Sequence, residues 1–312
     1  MTSAAQSPLT LPKGMQVFER GWLSSNNILC LDDDSAVLVD SGYLSHAEQT
    51  LALLKQALNG RRLTTLINTH LHSDHCGGNA LLQRTYACRT LIPIAEANAV
   101  AAWDQKALTF NATAQQCERF TFDACIAPGD SLRMAGLDWE VLAAPGHDPH
   151  SMMLYCTNEA ILISADALWE HGFGIIFPEL IGESGFAEQA AVLQLISELE
   201  VRIVIPGHGA PFTDVCSALD RANSRLAYLS ADNGKHARNA RNALKALITF
   251  LLLDAQKFSF SQLAKTIQHS RIMDAAARQM STPVPLLVEQ LAAELVLAGI
   301  AKMQGEWLVS SR

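Results

Sequence analysis

Short apolar runs and helical spacings alternate along the first two thirds of the chain. Residues 27–31 and 36–39 are apolar runs set apart by Asp32-Asp33-Asp34-Ser35, a composition that predicts a β-hairpin. Ser45 and Glu48 have the spacing of a capping box, ahead of Leu51, Leu54 and Leu58 on one helical face, with Gly60 as the stop. Residues 64–68 predict a buried strand, followed by a helix over 79–84, a strand near 91–94 and a helix over 95–103. Residues 108–120 fit neither period. Strands are then predicted at 131–134, 139–144, 152–156 and 160–164, with turns at Ala135-Gly136-Leu137-Asp138 and Thr157-Asn158-Glu159. A helix over 186–199 and a strand over 202–205 complete this part. Strands interleaved with helices, with polar clusters where strands end, predict an α/β sandwich whose site lies on loops.

From about Val215 the pattern becomes helical. Residues 215–231 and 236–256 read as two long helices, and 258–267 as a short helix opened by a serine cap. Residues 283–298 form a helix broken at Gly299, and 300–303 with 307–309 flank Gln304-Gly305-Glu306 as a hairpin. This composes a mostly helical, winged-helix-like domain. The expected division is a loose leader over 1–14, carrying Pro8, Pro12 and Gly14, a catalytic domain over 15–214, and the helical domain over 215–312.

With 312 residues, 49% of them hydrophobic and 17% charged, the chain has ample material for a core. The net charge of −8 is uneven. Residues 215–312 hold 12 Lys and Arg against 7 Asp and Glu, a balance of +5, and residues 1–214 hold 11 against 24, a balance of −13. The 7 cysteines are odd in number and irregularly spaced, which suits reduced thiols in a cytoplasm rather than a disulfide framework. Residues 1–14 have neither a basic leader nor an apolar core, and the apolar run 246–253 is too short to span a bilayer. The expectation is a soluble cytoplasmic protein with no membrane partner.

The densest chemistry follows the strand at 64–68, in Thr69-His70-Leu71-His72-Ser73-Asp74-His75-Cys76-Gly77-Gly78. In an extended turn His70 and His72 point the same way, and Asp74 and His75 then address a second point. Imidazole nitrogen and carboxylate oxygen are the ligands that zinc and its neighbours prefer, so the H-x-H-x-D-H spacing predicts a metal site. Gly77 and Gly78 are expected to let the backbone turn tightly into the next helix. His147 in Pro145-Gly146-His147-Asp148, Asp166 in Ser164-Ala165-Asp166 and His208 in Pro206-Gly207-His208-Gly209 each stand just after a predicted strand. A lone histidine there is usually a satisfied turn residue, but beside the first cluster these three read as further ligands.

Taken in order, Asp40 in Leu38-Val39-Asp40-Ser41-Gly42, the H-x-H-x-D-H cluster, His147, Asp166 and His208 resemble the five motifs of the metallo-β-lactamase-fold hydrolase superfamily, over about residues 15–214. The resemblance implies an αββα sandwich. It implies that His70, His72 and His147 hold one metal, that Asp74, His75 and His208 hold a second, and that Asp166 bridges them, with Asp40 fixing a ligand histidine. The cofactors expected are two zinc ions, with iron or manganese as alternatives that the same ligands accept. Two dications about 3.5–4 Å apart repel, and a bridging carboxylate and hydroxide offset this. Such a hydroxide is available near pH ~7 and is the expected nucleophile. Asp74 is expected to orient it.

Two features narrow the function. The best-known β-lactamase subclass has Cys where this chain has Asp166, which argues against antibiotic hydrolysis. Many relatives continue the third motif as P-G-H-T-P-G-H, whereas this chain reads Pro145-Gly146-His147-Asp148-Pro149-His150-Ser151. His150, Trp169, His171 and Phe177 are the candidate pocket residues. The expected activity is cleavage of a small ester, thioester or lactone. Glyoxalase II is similar in its metal motifs and helical extension, although its glutathione-contacting basic segment is not found here. The alternative is an endoribonuclease, since some superfamily members of that kind resemble this chain in size and in a C-terminal winged-helix-like domain. Lys235-His236-Ala237-Arg238-Asn239-Ala240-Arg241 would then contact phosphates. The −13 balance of the catalytic part repels a polyanion, so a small molecule is the favoured partner and nucleic acid the lesser one. A non-enzymatic ligand sensor that binds DNA is disfavoured by the intact ligand set. The hairpin with Trp307 either caps the catalytic domain or forms a homodimer contact.

Overall fold

The structure, a computed structural model, describes residues 9–231, 233–268 and 270–311, without the side chains of 233–239 and 279. The first eight residues of the expected leader lie outside the described residues. Strands β1 (Met15–Phe18), β2 (Asn27–Leu31) and β3 (Ser35–Val39) form an antiparallel ribbon, and the expected hairpin is its second half. A short 3-10 turn, Leu44–His46, leads into α1 (Ala47–Leu58). His46, not Ser45, is the residue before that helix and makes no side-chain cap, so the capping box is absent. Leu51, Leu54 and Leu58 are buried as the spacing predicts, and Asn59 ends the helix in a left-handed conformation (φ 45°). Strand β4 (Arg62–Ile67), helices α2 (Ser73–Cys76) and α3 (Asn79–Tyr86), β5 (Arg89–Pro93), α4 (Ala97–Ala102), α5 (Phe110–Thr113) and β6 (Ala124–Ile126) follow. The sheet order is β1-β2-β3-β4-β5-β6, parallel from β3 onward.

The second sheet contains β7 (Ser131–Met134), β8 (Leu137–Ala143), β9 (Met152–Cys156), β10 (Ile161–Ala165) and, beyond α6 (Phe177–Leu180) and α7 (Phe186–Glu198), β11 (Ile203–Pro206). Its order is β11-β10-β9-β8-β7, antiparallel except for the parallel pair β10 and β11.

Alternation of side chains across each strand sorts the core into layers. Ile28, Val37, Val39 and Ile67 of the first sheet pack against Val141, Leu154, Ile163 and Ile205 of the second. The opposite face of the first sheet, with Leu29, Leu38 and Leu66, meets α1 and α3 through Leu54 and Leu82. The opposite face of the second, with Met153, Leu162 and Val204, meets α7 through Leu193 and Ile196. Strands β2, β3, β9, β10 and β11 are covered on both faces and for that reason read as continuous apolar runs, whereas β8 alternates buried with exposed residues. The fold is αββα.

Helix α8 (Val215–Ser230) belongs by packing to this sandwich, since Ala218, Ala222 and Leu226 share the core of the second sheet. A separate core forms where α9 (Asn233–Ala255), α10 (Phe260–Ile267), α11 (Arg271–Gln279) and α12 (Val284–Leu297) meet, around Leu244, Ile248, Leu263, Met273, Val288 and Leu291. Helix α11 has no counterpart among the sequence-predicted elements. Ser259 caps α10 in a full capping box with Gln262. The hairpin of β13 (Ala301–Gln304) and β14 (Trp307–Ser310) gains a third strand from β12 (Lys257–Ser259). Among the described residues no helix is long and apolar enough to cross a membrane, and the 7 cysteines are unpaired.

Leu154 is fully enclosed between the two sheets. Leu154→Ala is expected to cost about 2–5 kcal/mol through lost burial and the cavity it leaves, read as a lowered urea midpoint at an unchanged slope.

Candidate metal centre

The candidate ligands stand in the loops that follow the C-terminal ends of strands, except Asp74 and His75, which lie in α2. Asp40, the first residue after β3, takes a left-handed conformation (φ 59°) that is uncommon for aspartate. Its neighbours account for it. Its N–H donates to Ile67 O (2.9 Å), and its carboxylate accepts from Thr69 N (2.9 Å) and Thr69 Oγ1 (2.8 Å). The same carboxylate stands 2.8 Å from His75 Nδ1. One buried aspartate thereby fixes the exit of β4 and the ring of His75. Asn68 adds a second tie, its Nδ2 donating to His75 O (3.2 Å).

Helix α2 then lifts Asp74 and His75 out of the extended run. Gly77 and Gly78 are in the ordinary right-handed helical region, so the expectation of a special turn there is corrected. They are needed for close approach, since a Cβ on Gly77 would fall on Leu44 N and one on Gly78 would stand 2.6 Å from Ser41 O. His147 follows β8, with its Nδ1 2.5 Å from Ile175 O. Asp166 follows β10, with one carboxylate oxygen 3.2 Å from the Trp169 Nε1 donor. The loop carrying His208 after β11 is pinned by buried Asn26, whose Nδ2 donates to Pro206 O (3.0 Å) and Gly209 O (2.7 Å) and whose N–H donates to Gly207 O (2.6 Å).

These supports bring the side chains into two adjoining groups. His72 Nδ1 is 3.1 Å from His70 Nε2 and 2.8 Å from His147 Nε2. Asp74, His75 and His208 form the second group, with His208 Nε2 3.1 Å from Asp74 Oδ2. Asp166 lies between them, 3.3 Å from His147 Nε2 and 3.6 Å from His75 Nε2.

The donor chemistry fits a cation. Burial pushes His70 well below the ordinary imidazole value, and the facing His75 and His72 push it further. Burial likewise takes His147 down to about 4, with His72 acting the same way. Both rings are thus neutral near pH ~7, and their converging nitrogens carry lone pairs. His75 Nε2 and His208 Nδ1 are buried with no hydrogen-bond partner. Burial opposes a charge on His75, yet Asp40 and Asp166 on either side raise its pKa well above the ordinary value. Burial also pushes the Asp166 carboxyl up, but His208 and His75 hold it well below the usual carboxylate range. Carboxylates ionised beside buried, lone-pair-bearing nitrogens call for positive charge at this spot.

A cavity of about 240 Å³ opens on the cluster and is walled by Trp22, Trp169, Phe173, Phe177, Leu247 and Phe250. Trp169 and Phe177 line it, whereas His150 and His171 do not. His150 is held 2.5 Å from Glu96, and His171 points to solvent with its side chain 80% exposed. Other contributors escaped the sequence reading. Asp148 places a carboxylate oxygen 3.6 Å from His72 Nε2. Trp22 stacks near His208 (5.8 Å between ring centres). Helix α9 roofs the cavity with Ala243, Ala246, Leu247 and Phe250. The i, i+3, i+4, i+7 spacing of that face was legible, but not what it covers.

Residues 20–208 match the family model described as the Metallo-beta-lactamase superfamily. A hydroxyacylglutathione hydrolase of Rhodopseudomonas palustris (strain BisB5) is 30% identical over 155 residues, 50% of this chain and 52% of the relative. The match thus spans about half the length of that relative. Among solved structures, a metallo-beta-lactamase family protein from Thermus thermophilus is similar in fold (TM-score 0.56, 19% identity, 96% of this chain and 100% of that one). A mutant metallo-beta-lactamase from Cronobacter sakazakii is similar over 92% of this chain and 98% of its own (TM-score 0.52, 16% identity).

Asp40→Ala should leave the His75 ring free to turn and weaken metal retention by about 10–100-fold, as removal of a ligand-orienting group does. Competition with a chromogenic chelator measures it, and unchanged retention would remove Asp40 from that role.

Proposed function

Because the chain belongs to the metallo-beta-lactamase superfamily, we propose that it is a metal-dependent hydrolase of a small ester, thioester or lactone. The observation that carries this reading is the cavity. The ligand cluster opens on a space of about 240 Å³ walled mainly by aromatic and aliphatic side chains, with Arg225 as the single Lys or Arg among its lining residues. Such a space suits an acyl group. A ribonucleic acid strand needs a cationic track for its phosphates. Arg241, at the end of the basic stretch, is already paired with Glu294 (2.6 Å), as is Lys245 (3.0 Å). The side chains of 233–239 lie outside the described residues. A relative named for hydrolysing an acylated glutathione supports a thioester.

His70, His72 and His147 would hold one ion in this reading and Asp74, His75 and His208 the other, with Asp166 available to both. Zinc suits these donors, with iron and manganese as alternatives. Bound there, the ions would supply acidified water and an electrophile for the carbonyl oxygen, chemistry that needs no serine or cysteine nucleophile. Asp40 orients His75, and Asp148 faces the outer nitrogen of His72. Asp74 orients the attacking water. The aromatic walls and the α9 roof exclude bulk water and hold the acyl group against the cluster. All the ligands fall within 15–214, the catalytic part, and the roof falls within 215–312, the helical part. The unpaired cysteines support a reducing, cytoplasmic setting.

The test pairs a panel of S-acyl thioesters with a 5′-labelled single-stranded RNA on zinc-loaded protein, with His147→Ala as the blank. Thioester cleavage should fall by about a hundredfold or more in the variant and on chelation, and return with zinc. RNA cleavage lost in the variant would instead establish the nuclease. Asp74→Asn should lower turnover in protein shown to retain its full metal content, and full turnover at full metal content would dismiss its role in orienting water.

A further inference from the structure

Arg225 is the cation of the cavity, and no carboxylate within the described residues pairs with it. It reaches in from α8, donates from Nη1 to Phe173 O (2.6 Å) and holds its guanidinium carbon 4.6 Å from the centre of the Phe173 ring. A guanidinium has five N–H donors in a flat fork, and this bond uses one of them. The anionic side chains that share the cavity lining are Asp74 and Asp166. Both are faced by ligand histidines and are taken up by the metal cluster.

The neighbourhood makes room for this side chain. Gly172 (φ +125°) runs directly beside it, and a Cβ there would stand 2.8 Å from Nη1 and 3.2 Å from Cδ. Arg221, one turn earlier on the same helix, is spent on Glu170 O at the surface. Packing alone would be served as well by Met or Leu, without the cost of withdrawing a cation from water. Burial lowers the Arg225 pKa, a direct sign of that cost. A half-buried guanidinium with spare donors at the wall of a substrate cavity is matched by a ligand that brings the missing charge.

We propose that Arg225 anchors a carboxylate on the substrate, so that the molecule hydrolysed is an acyl compound bearing a carboxylate at the end remote from the scissile bond. The inference rests on the hydrolase reading of the same cavity and adds the substrate class. The carboxylate engages the guanidinium fork beside Phe173, the methylene chain lies along the aromatic walls, and the scissile carbonyl faces the ligand cluster.

The experiment compares butyryl and glutaryl thioesters of N-acetylcysteamine on zinc-loaded protein, together with the binding of butyramide, which has no carboxylate, and glutaramate, which has one, by titration calorimetry. The native protein should favour glutaryl over butyryl in kcat/KM by roughly tenfold or more, the size expected of a charge-assisted bond. In Arg225→Met the ratio should fall to about one, chiefly through KM. If neither thioester is cleaved, yet glutaramate binds the native protein roughly tenfold tighter than butyramide and Arg225→Met abolishes the difference, the carboxylate site stands and the thioesterase reading falls. Equal binding and turnover of the two chain types by the native protein, or a preference that survives in Arg225→Met, overturns the proposal. Should Arg225→Met fail to fold, Arg225→Lys tests the same point, because it keeps the charge and loses the fork. A diminished preference supports the anchor, and a full one overturns its bidentate form.

Discussion

Three buried imidazoles are the constraint around which this chain is arranged, His72 Nδ1 standing 3.1 Å from His70 Nε2 and 2.8 Å from His147 Nε2. Burial holds His70 and His147 neutral, so both can turn lone pairs toward a shared cation. No single element can create such a meeting. His70 and His72 leave the first sheet at the end of β4, and His147 leaves the second at the end of β8. The two sheets must therefore be held in fixed register, and the shared layer of Ile67, Val141, Leu154 and Ile205 does this. Close packing of that layer has a functional consequence, since interiors yield little before they lose density.

A second tier keeps the ligands from relaxing away from one another. Asp40 ties Thr69 and His75 together, Asn26 ties the loop of His208, Trp169 donates to Asp166, and Ile175 O takes the far nitrogen of His147. The supports on His75, His147 and Asp166 set which nitrogen or oxygen faces the centre, and Asn26 fixes the backbone that carries His208. The left-handed Asp40 shows that backbone strain is tolerated where four hydrogen bonds and an ion pair act on one residue.

How far this was legible in the sequence follows from the same physics. Strands buried on both faces gave clear apolar runs, and the histidines and aspartates in the loops that follow them stood out by type and spacing. The entry to α1 misled, because Ser45 and Glu48 have cap spacing while the chain enters through a 3-10 turn in which His46 is turned toward Ser24 Oγ (2.9 Å). The glycines at 77 and 78 were correctly marked as special but for the wrong reason, since crowding by Ser41 and Leu44 depends on a distant segment. His150 and His171 looked like pocket residues by proximity in sequence, yet Glu96 captures one and solvent the other. Asn26, Trp22 and Arg225 lie far along the chain from the motifs they serve and carry no local signature.

The C-terminal segment completes the cavity rather than merely following it. Phe250 of α9 stacks edge-on against Tyr43 (4.8 Å between ring centres), and the Tyr43 hydroxyl lies 3.1 Å from Asp254 and accepts from Gln116 N (3.1 Å). Ser270, capping α11, donates to Ala112 O near the same wall. Tyr43 stands three residues beyond Asp40, and Gln115 accepts from Ser73 inside the ligand run. The segment that roofs the cavity is thus bonded to the loops that carry and support the ligands. A shift of α9 would reach the ligand loops through Tyr43 and Gln116, so enclosure of the substrate and alignment of the centre are one mechanical property of the fold.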